Sequence, residues 1–222
     1  MFRPSCPVSS RPLPALAALV LASLALVADA APTRAQGKPA APPSEVRVGP
    51  GSQAAPGTRK ALVVEGDNHL FMVSAPAGWV LDDTSGMGSR IRCVFYPKGQ
   101  TWTTAPTVMY VNPLHGFSAK ERKVSALIAD SQKQFLKRSP KGRVTDAGTL
   151  PTSVTGKNAI VRYFSEDGGP PHEAVAYVPE KDLVMLIVLS SRTPAGFQKA
   201  LPAFRELVSF YAWVGTNKEF GR

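Results

Sequence analysis

Seven consecutive apolar residues, Leu183-Val-Met-Leu-Ile-Val-Leu189, constrain this chain more than any other stretch. An extended chain turns successive side chains to opposite faces of a sheet. A run that is apolar at both parities therefore predicts a central strand covered on both faces. Such a strand needs a packed layer on each side of its sheet, and the layers available here are two amphipathic helices.

The first helix is signalled by Ser118 and Glu121, a reciprocal capping pair. Val124, Leu127, Ile128, Ser131 and Phe135 then recur at helical spacing, and Pro140 and Gly142 mark the end. Thr193-Pro194 opens the second helix, whose stripe is Phe197, Leu201, Phe204, Val208 and Tyr211. Pro202 is expected to kink or restart it.

Short β-prone runs surround the helices. Ala61–Glu65 and Leu70–Ala75 come first, then Ile91–Tyr96 and Thr107–Asn112, both of these ended by proline. After the first helix come Arg143–Thr149, Ala159–Ser165 and Glu173–Val178. The turn-rich segment Glu166-Asp-Gly-Gly-Pro-Pro171 joins the last two, and Glu180-Lys-Asp182 leads into the apolar run. Short links favour antiparallel pairing. The expected fold class is α/β (α+β): an antiparallel sheet of six to eight strands flanked by helices, an α/β/α sandwich. No internal repeat is present.

The N-terminal part has a different character. Arg3 and Arg11, an apolar stretch from Leu13 to Val27 and the small-residue site Ala28-Asp29-Ala30 form a secretory signal pattern over residues 1–30, with cleavage expected after Ala30. The alternative is a retained anchor, but this stretch is shorter than the roughly 20 residues a spanning helix needs and contains Pro14. Cys6 precedes the apolar stretch, where it cannot carry a lipoprotein anchor. Residues 31–58 hold six prolines and four glycines with almost no large apolar side chain, the composition of a disordered linker. The domain is expected over 59–215, followed by a tail, 216–222. Localisation is thus read as periplasmic or secreted, with no transmembrane span after cleavage. Cleavage would leave Cys93 as the sole cysteine, so the domain would rely on its apolar core; in its apolar strand the thiol is read as buried and inert.

Several local sequences resemble PsbP-like domains. These are the turn Ala75-Pro-Ala-Gly-Trp79, the stretch Phe95-Tyr-Pro-Lys-Gly-Gln-Thr-Trp102, the strand Ala105-Pro-Thr-Val-Met-Tyr-Val111, and the closing Leu207-Val-Ser-Phe210. The resemblance spans Leu62 to Trp213, through turn and core residues. It implies an α/β/α sandwich used as a non-catalytic accessory or adaptor module. That fold is shared by extrinsic subunits of photosystem II and by Ran-binding nuclear-import factors of the Mog type.

Candidate sites are few. No metalloprotease, phosphate-loop or nucleophile-elbow pattern occurs, no cofactor is implied, and an enzyme is not expected. His69, His115 and His172 fall near strand ends, at positions expected to be exposed. Glu166, Asp167, His172 and Glu173 form the one weak metal set, the basis of an alternative reading as an extracytoplasmic enzyme or metal-dependent factor. Against that set, His172 and Glu173 are adjacent and should point to opposite faces.

Charge is more informative. The chain carries a formal net charge of +10. Much of it lies in 118–143, where Lys120, Arg122, Lys123, Lys133, Lys137, Arg138, Lys141 and Arg143 face only Glu121 and Asp130. Arg122, Lys123, Lys133 and Lys137 fall opposite the apolar stripe, with Arg138 and Lys141 beyond them. This face is either an ordinary solvated helix surface or a docking surface for an acidic protein, anionic lipid or cell-wall polymer. Without interleaved aromatics it is unsuited to nucleic acid. The expectation is an exported, non-catalytic accessory or binding protein.

Overall fold

A computed structural model describes residues 61–65, 69–87, 91–115, 124–154, 156–181, 183–216 and 219. The expected signal peptide, the linker, the capping pair Ser118 and Glu121, Arg122, Lys123 and most of the tail lie outside the described residues.

In chain order the elements are β1 (Ala61–Glu65), β2 (Leu70–Ser74), β3 (Trp79–Asp82), β4 (Cys93–Pro97), β5 (Thr107–His115), α1 (Val124–Arg138), β6 (Arg143–Pro151), β7 (Asn158–Ser165), β8 (Glu173–Pro179), β9 (Leu183–Ser191), α2 (Pro194–Phe210) and β10 (Ala212–Gly215). Seven strands form one sheet in the order β3-β4-β5-β9-β8-β7-β6, and β1-β2-β10 form a second. Every pairing in both is antiparallel.

The apolar run lies where its pattern requires. All nine residues of β9 are buried, between β5 on one side and β8 on the other. Leu183, Met185, Ile187 and Leu189 join the core under α2, which contributes Phe197, Leu201, Phe204, Leu207 and Val208. Val184, Leu186 and Val188 join the opposite core, under Leu127, Ile128 and Phe135 of α1. Full burial of each such side chain contributes about 1.5–3 kcal/mol, so this strand does more than any other to tie the layers together. The second sheet adds Val64, Phe71 and Val73 to the α2-side core. No helix among the described residues is long and apolar enough to cross a membrane.

The structure departs from the sequence-based expectation in five places. β3 and β10 are strands in segments where the sequence pattern predicts no element, just after the Ala75–Trp79 turn and just after the stripe of α2. β5 continues through Pro113 to His115; β4 pairs with it only as far as Val111, so among the described residues no strand pairs that side of β5 at the proline. The helix α2 runs as one element through Pro202. The carbonyl that loses its donor belongs to Gln198, and both residues are exposed, so water can replace the missing bond. Lastly, His69 is buried rather than exposed, stacked between Phe71 and Trp213 with ring centroids 5.9 and 6.0 Å away.

Candidate functional site

The α1 stripe Leu127, Ile128 and Phe135 faces the sheet, which forces the opposite side of the helix into solvent. Lys133, Lys137 and Arg138 are exposed there, and Lys141 and Arg143 are exposed just beyond. The turn after α1 is tight. Ser139 N–H donates to the Phe135 carbonyl at 2.8 Å, and Gly142 N–H to the Ser139 carbonyl at 2.8 Å. A Cβ on Gly142 would lie 2.7 Å from Phe135 Cε1 and 2.9 Å from the Ser139 oxygen, so only glycine lets the turn fold onto Phe135. That turn sets Lys141 and Arg143 beside the helix end. Lys137 and Arg138 also meet the negative end of the helix dipole there, which favours their charge.

Two of these cations are tethered by long hydrogen bonds: Arg138 Nε to the Gln134 carbonyl and Arg143 Nη2 to the Gly169 carbonyl, each at 3.4 Å. Lys133, Lys137 and Lys141 form no ion pair with another described residue. Leu136, 41% exposed, sits among them.

The proposed metal set does not come together. Glu166 and His172 are surface neighbours, Oε1 to Nε2 4.0 Å apart, and Asp167 is exposed. Glu173 opens β8 and turns the other way, into the core beneath α1, where it is only 4% exposed. Adjacent residues of an extended chain diverge, and that separates the imidazole from this carboxyl. Among the described residues, no three His, Cys, Asp or Glu side chains gather to hold a metal ion.

What the structure brings together instead is a buried polar cluster. Glu173 lies directly across from Ser190 of β9 on one side and from Phe164 of β7 on the other. Ser190 is 2% exposed, and neither Glu173 Oε1 nor Ser190 Oγ has a hydrogen-bond partner among the described residues. Burial pushes the Glu173 carboxyl up to about 8; Arg138 works against that rise, and Glu166 adds to it. Burial, with Glu173 and Tyr177 nearby, holds the Tyr110 phenol well above its usual range. Tyr177 is pushed up to about 12, chiefly by burial, against a hydrogen bond with Ser131 of α1. The sequence pattern places Glu173 at the start of a β-prone run, next to an acidic turn, and does not foresee its burial. The signal that could have found it is Glu173-Ala-Val-Ala-Tyr-Val178, which, like β9, is apolar at both parities after its first residue.

Cys93 is fully buried in the core under α2, and burial raises its thiol far above the usual range, which makes it a packing residue.

No protein family and no curated protein matches the chain. Among solved structures it is similar to the solution structure of cyanobacterial PsbP from Synechocystis sp. PCC 6803. The match has a TM-score of 0.47 and 11% identity, and covers 74% of this chain and 99% of that one.

Proposed function

We propose that this chain is an exported, non-catalytic accessory or binding protein that docks an anionic partner through the basic end of α1. One observation supports this reading: Lys133, Lys137 and Lys141, exposed beside Arg138, form no ion pair with a described residue. Positive charge concentrated on one end of a domain raises the local concentration of anionic surfaces and speeds encounter with them. The partner presents repeated carboxylates or phosphates, as an acidic protein, an anionic lipid surface or a cell-wall polymer does.

The test uses defined probes: polyglutamate, vesicles of anionic lipid, and vesicles of neutral lipid as control. Binding to at least one anionic probe is expected, weakening as salt rises. Replacing Lys133, Lys137, Arg138 and Lys141 together by Glu should lower that affinity on the order of tenfold or more. Equal binding by the two proteins, or no binding by either, would overturn the docking reading. Export has its own readout: the mature protein recovered outside the cytoplasm should begin at Ala31.

A further inference from the structure

We propose that Glu173 and Ser190 form a proton-operated seat for the C-terminal half of α1: the helix is held on the sheet while Glu173 carries its proton and loosens when the proton leaves. The proposal holds whether or not the basic end of α1 binds an anionic partner.

Phe164, Glu173 and Ser190 lie side by side across β7, β8 and β9. Phe135 of α1 packs edge-on against Phe164, with ring centroids 5.1 Å apart, and Ser131 one turn earlier bonds the Tyr177 hydroxyl. The second half of α1 therefore rests on the strands that carry the buried carboxyl.

Next come the groups that can answer a charge there. From α1, the only one that acts on Glu173 is Arg138, whose side chain lies at the surface. From the loop before β8 comes Glu166, of the wrong sign, with His172 4.0 Å from it. From β5 and β8 come the phenols of Tyr110 and Tyr177. From β7 comes Arg162, which acts on Tyr177 and is already bonded to Asp146 Oδ1 at 2.8 Å. A neutral carboxyl beside a serine hydroxyl can remain in such a place without a counter-ion. A carboxylate cannot remain there cheaply, because among the described residues its Oε1 has no donor and no Lys or Arg is buried.

An ionised Glu173 has two remedies, entry of water or descent of Arg138. Both require the last turns of α1 to lift. Sign and window follow from the raised value: the closed state keeps its proton up to about pH 8, whereas an open state loses it in the ordinary carboxyl range. Opening therefore grows more favourable as pH rises between these limits, and levels off above them.

Hydrogen exchange on the full chain tests this, with rates corrected for the intrinsic effect of pH. Between pH 6 and pH 8 the opening constant of amides in 131–138 should rise about fiftyfold, while α2 amides change far less. In Glu173→Gln, where nothing titrates, the rise should vanish. A flat profile for α1 in the wild-type protein overturns the proposal. So does an equal rise in α2, and so does a rise that survives in Glu173→Gln. The comparison of the two helices needs no variant, so a misfolded Glu173→Gln would not rescue the idea.

Discussion

Replacing Lys157 by Met should lower the stability of the domain by about 3 kcal/mol at pH 7, because it strands a buried carboxylate. Glu180, 3% exposed, occupies the turn between β8 and β9. Its Oε2 pairs with Lys157 Nζ, and its Oε1 accepts a hydrogen bond from the Tyr211 hydroxyl at 3.0 Å. Lys157 comes from the β6–β7 connection and Tyr211 follows α2, so one carboxylate joins three distant parts of the chain. The Tyr211 carbonyl is held in turn by the Ser153 hydroxyl at 2.8 Å. Burial raises the Glu180 carboxyl above its usual range, while Lys157 and Tyr211 act to lower it. Without Lys157 the carboxyl rises further and takes a proton more readily, so the loss should shrink as pH falls. Urea unfolding of Lys157→Met, Glu180→Gln and the double variant measures this. The double variant should recover about 1–3 kcal/mol relative to the sum of the singles. A single Lys157→Met variant within 0.5 kcal/mol of wild type, a change ordinary for a surface site, would sink the argument.

Gly196→Ala should cost about 2 kcal/mol, although alanine is the better helix former by about 1 kcal/mol. Gly196 lies in the first turn of α2, where a Cβ would come 2.6 Å from Ser191 Oγ, 2.7 Å from Thr107 Oγ1 and 3.0 Å from Thr193 Oγ1. Those three hydroxyls join the ends of β5 and β9 to the helix. Ser191 and Thr107 share a hydrogen bond of 2.8 Å, and Ser191 donates to the Thr193 carbonyl at 2.9 Å. Thr193 Oγ1 caps α2 by accepting from Gly196 N–H at 3.1 Å. An added methyl group must displace this joint, which overrides the gain in propensity. Thermal or urea unfolding decides the sign, and a variant as stable as wild type would mean that the hydroxyls can move aside at little cost. Thr193→Ala, which removes only the cap, should cost about 1 kcal/mol.

The layered fold could be read from the sequence because burial on two faces leaves an unambiguous mark. The both-parity run of β9 and the stripes of α1 and α2 demanded a sheet with a helix on each side. The missed strands carry weaker marks. β3 has four half-buried residues directly after the Pro76–Gly78 turn, and β10 follows α2 after Tyr211 alone. Strand order was equally hidden, because β5 pairs with a strand across the whole of α1, β6, β7 and β8. At the basic end of α1, residue type and helical spacing gave the positions of the cations. The Glu173–Ser190 pair was invisible for a different reason. An acidic residue after Pro171-His172 looks like part of a solvated turn, and only the register of β8 against β9 brings it into the core.

The pairing of β5 with β9 also governs the timing of folding. When β5 has been synthesised, the strand that will cover its inner edge is still unmade; Thr107 and Ser191, which end bonded together, are 84 residues apart. Closing so long a loop comes late and slowly compared with forming local hairpins. Until then Leu183–Leu189 is a sticky, uncharged ribbon with strong β propensity, and another copy's ribbon is as good a mate as the correct strand. Recovery of native protein from denaturant is therefore a race between ring closure within one chain and association between chains, and dilution favours the first.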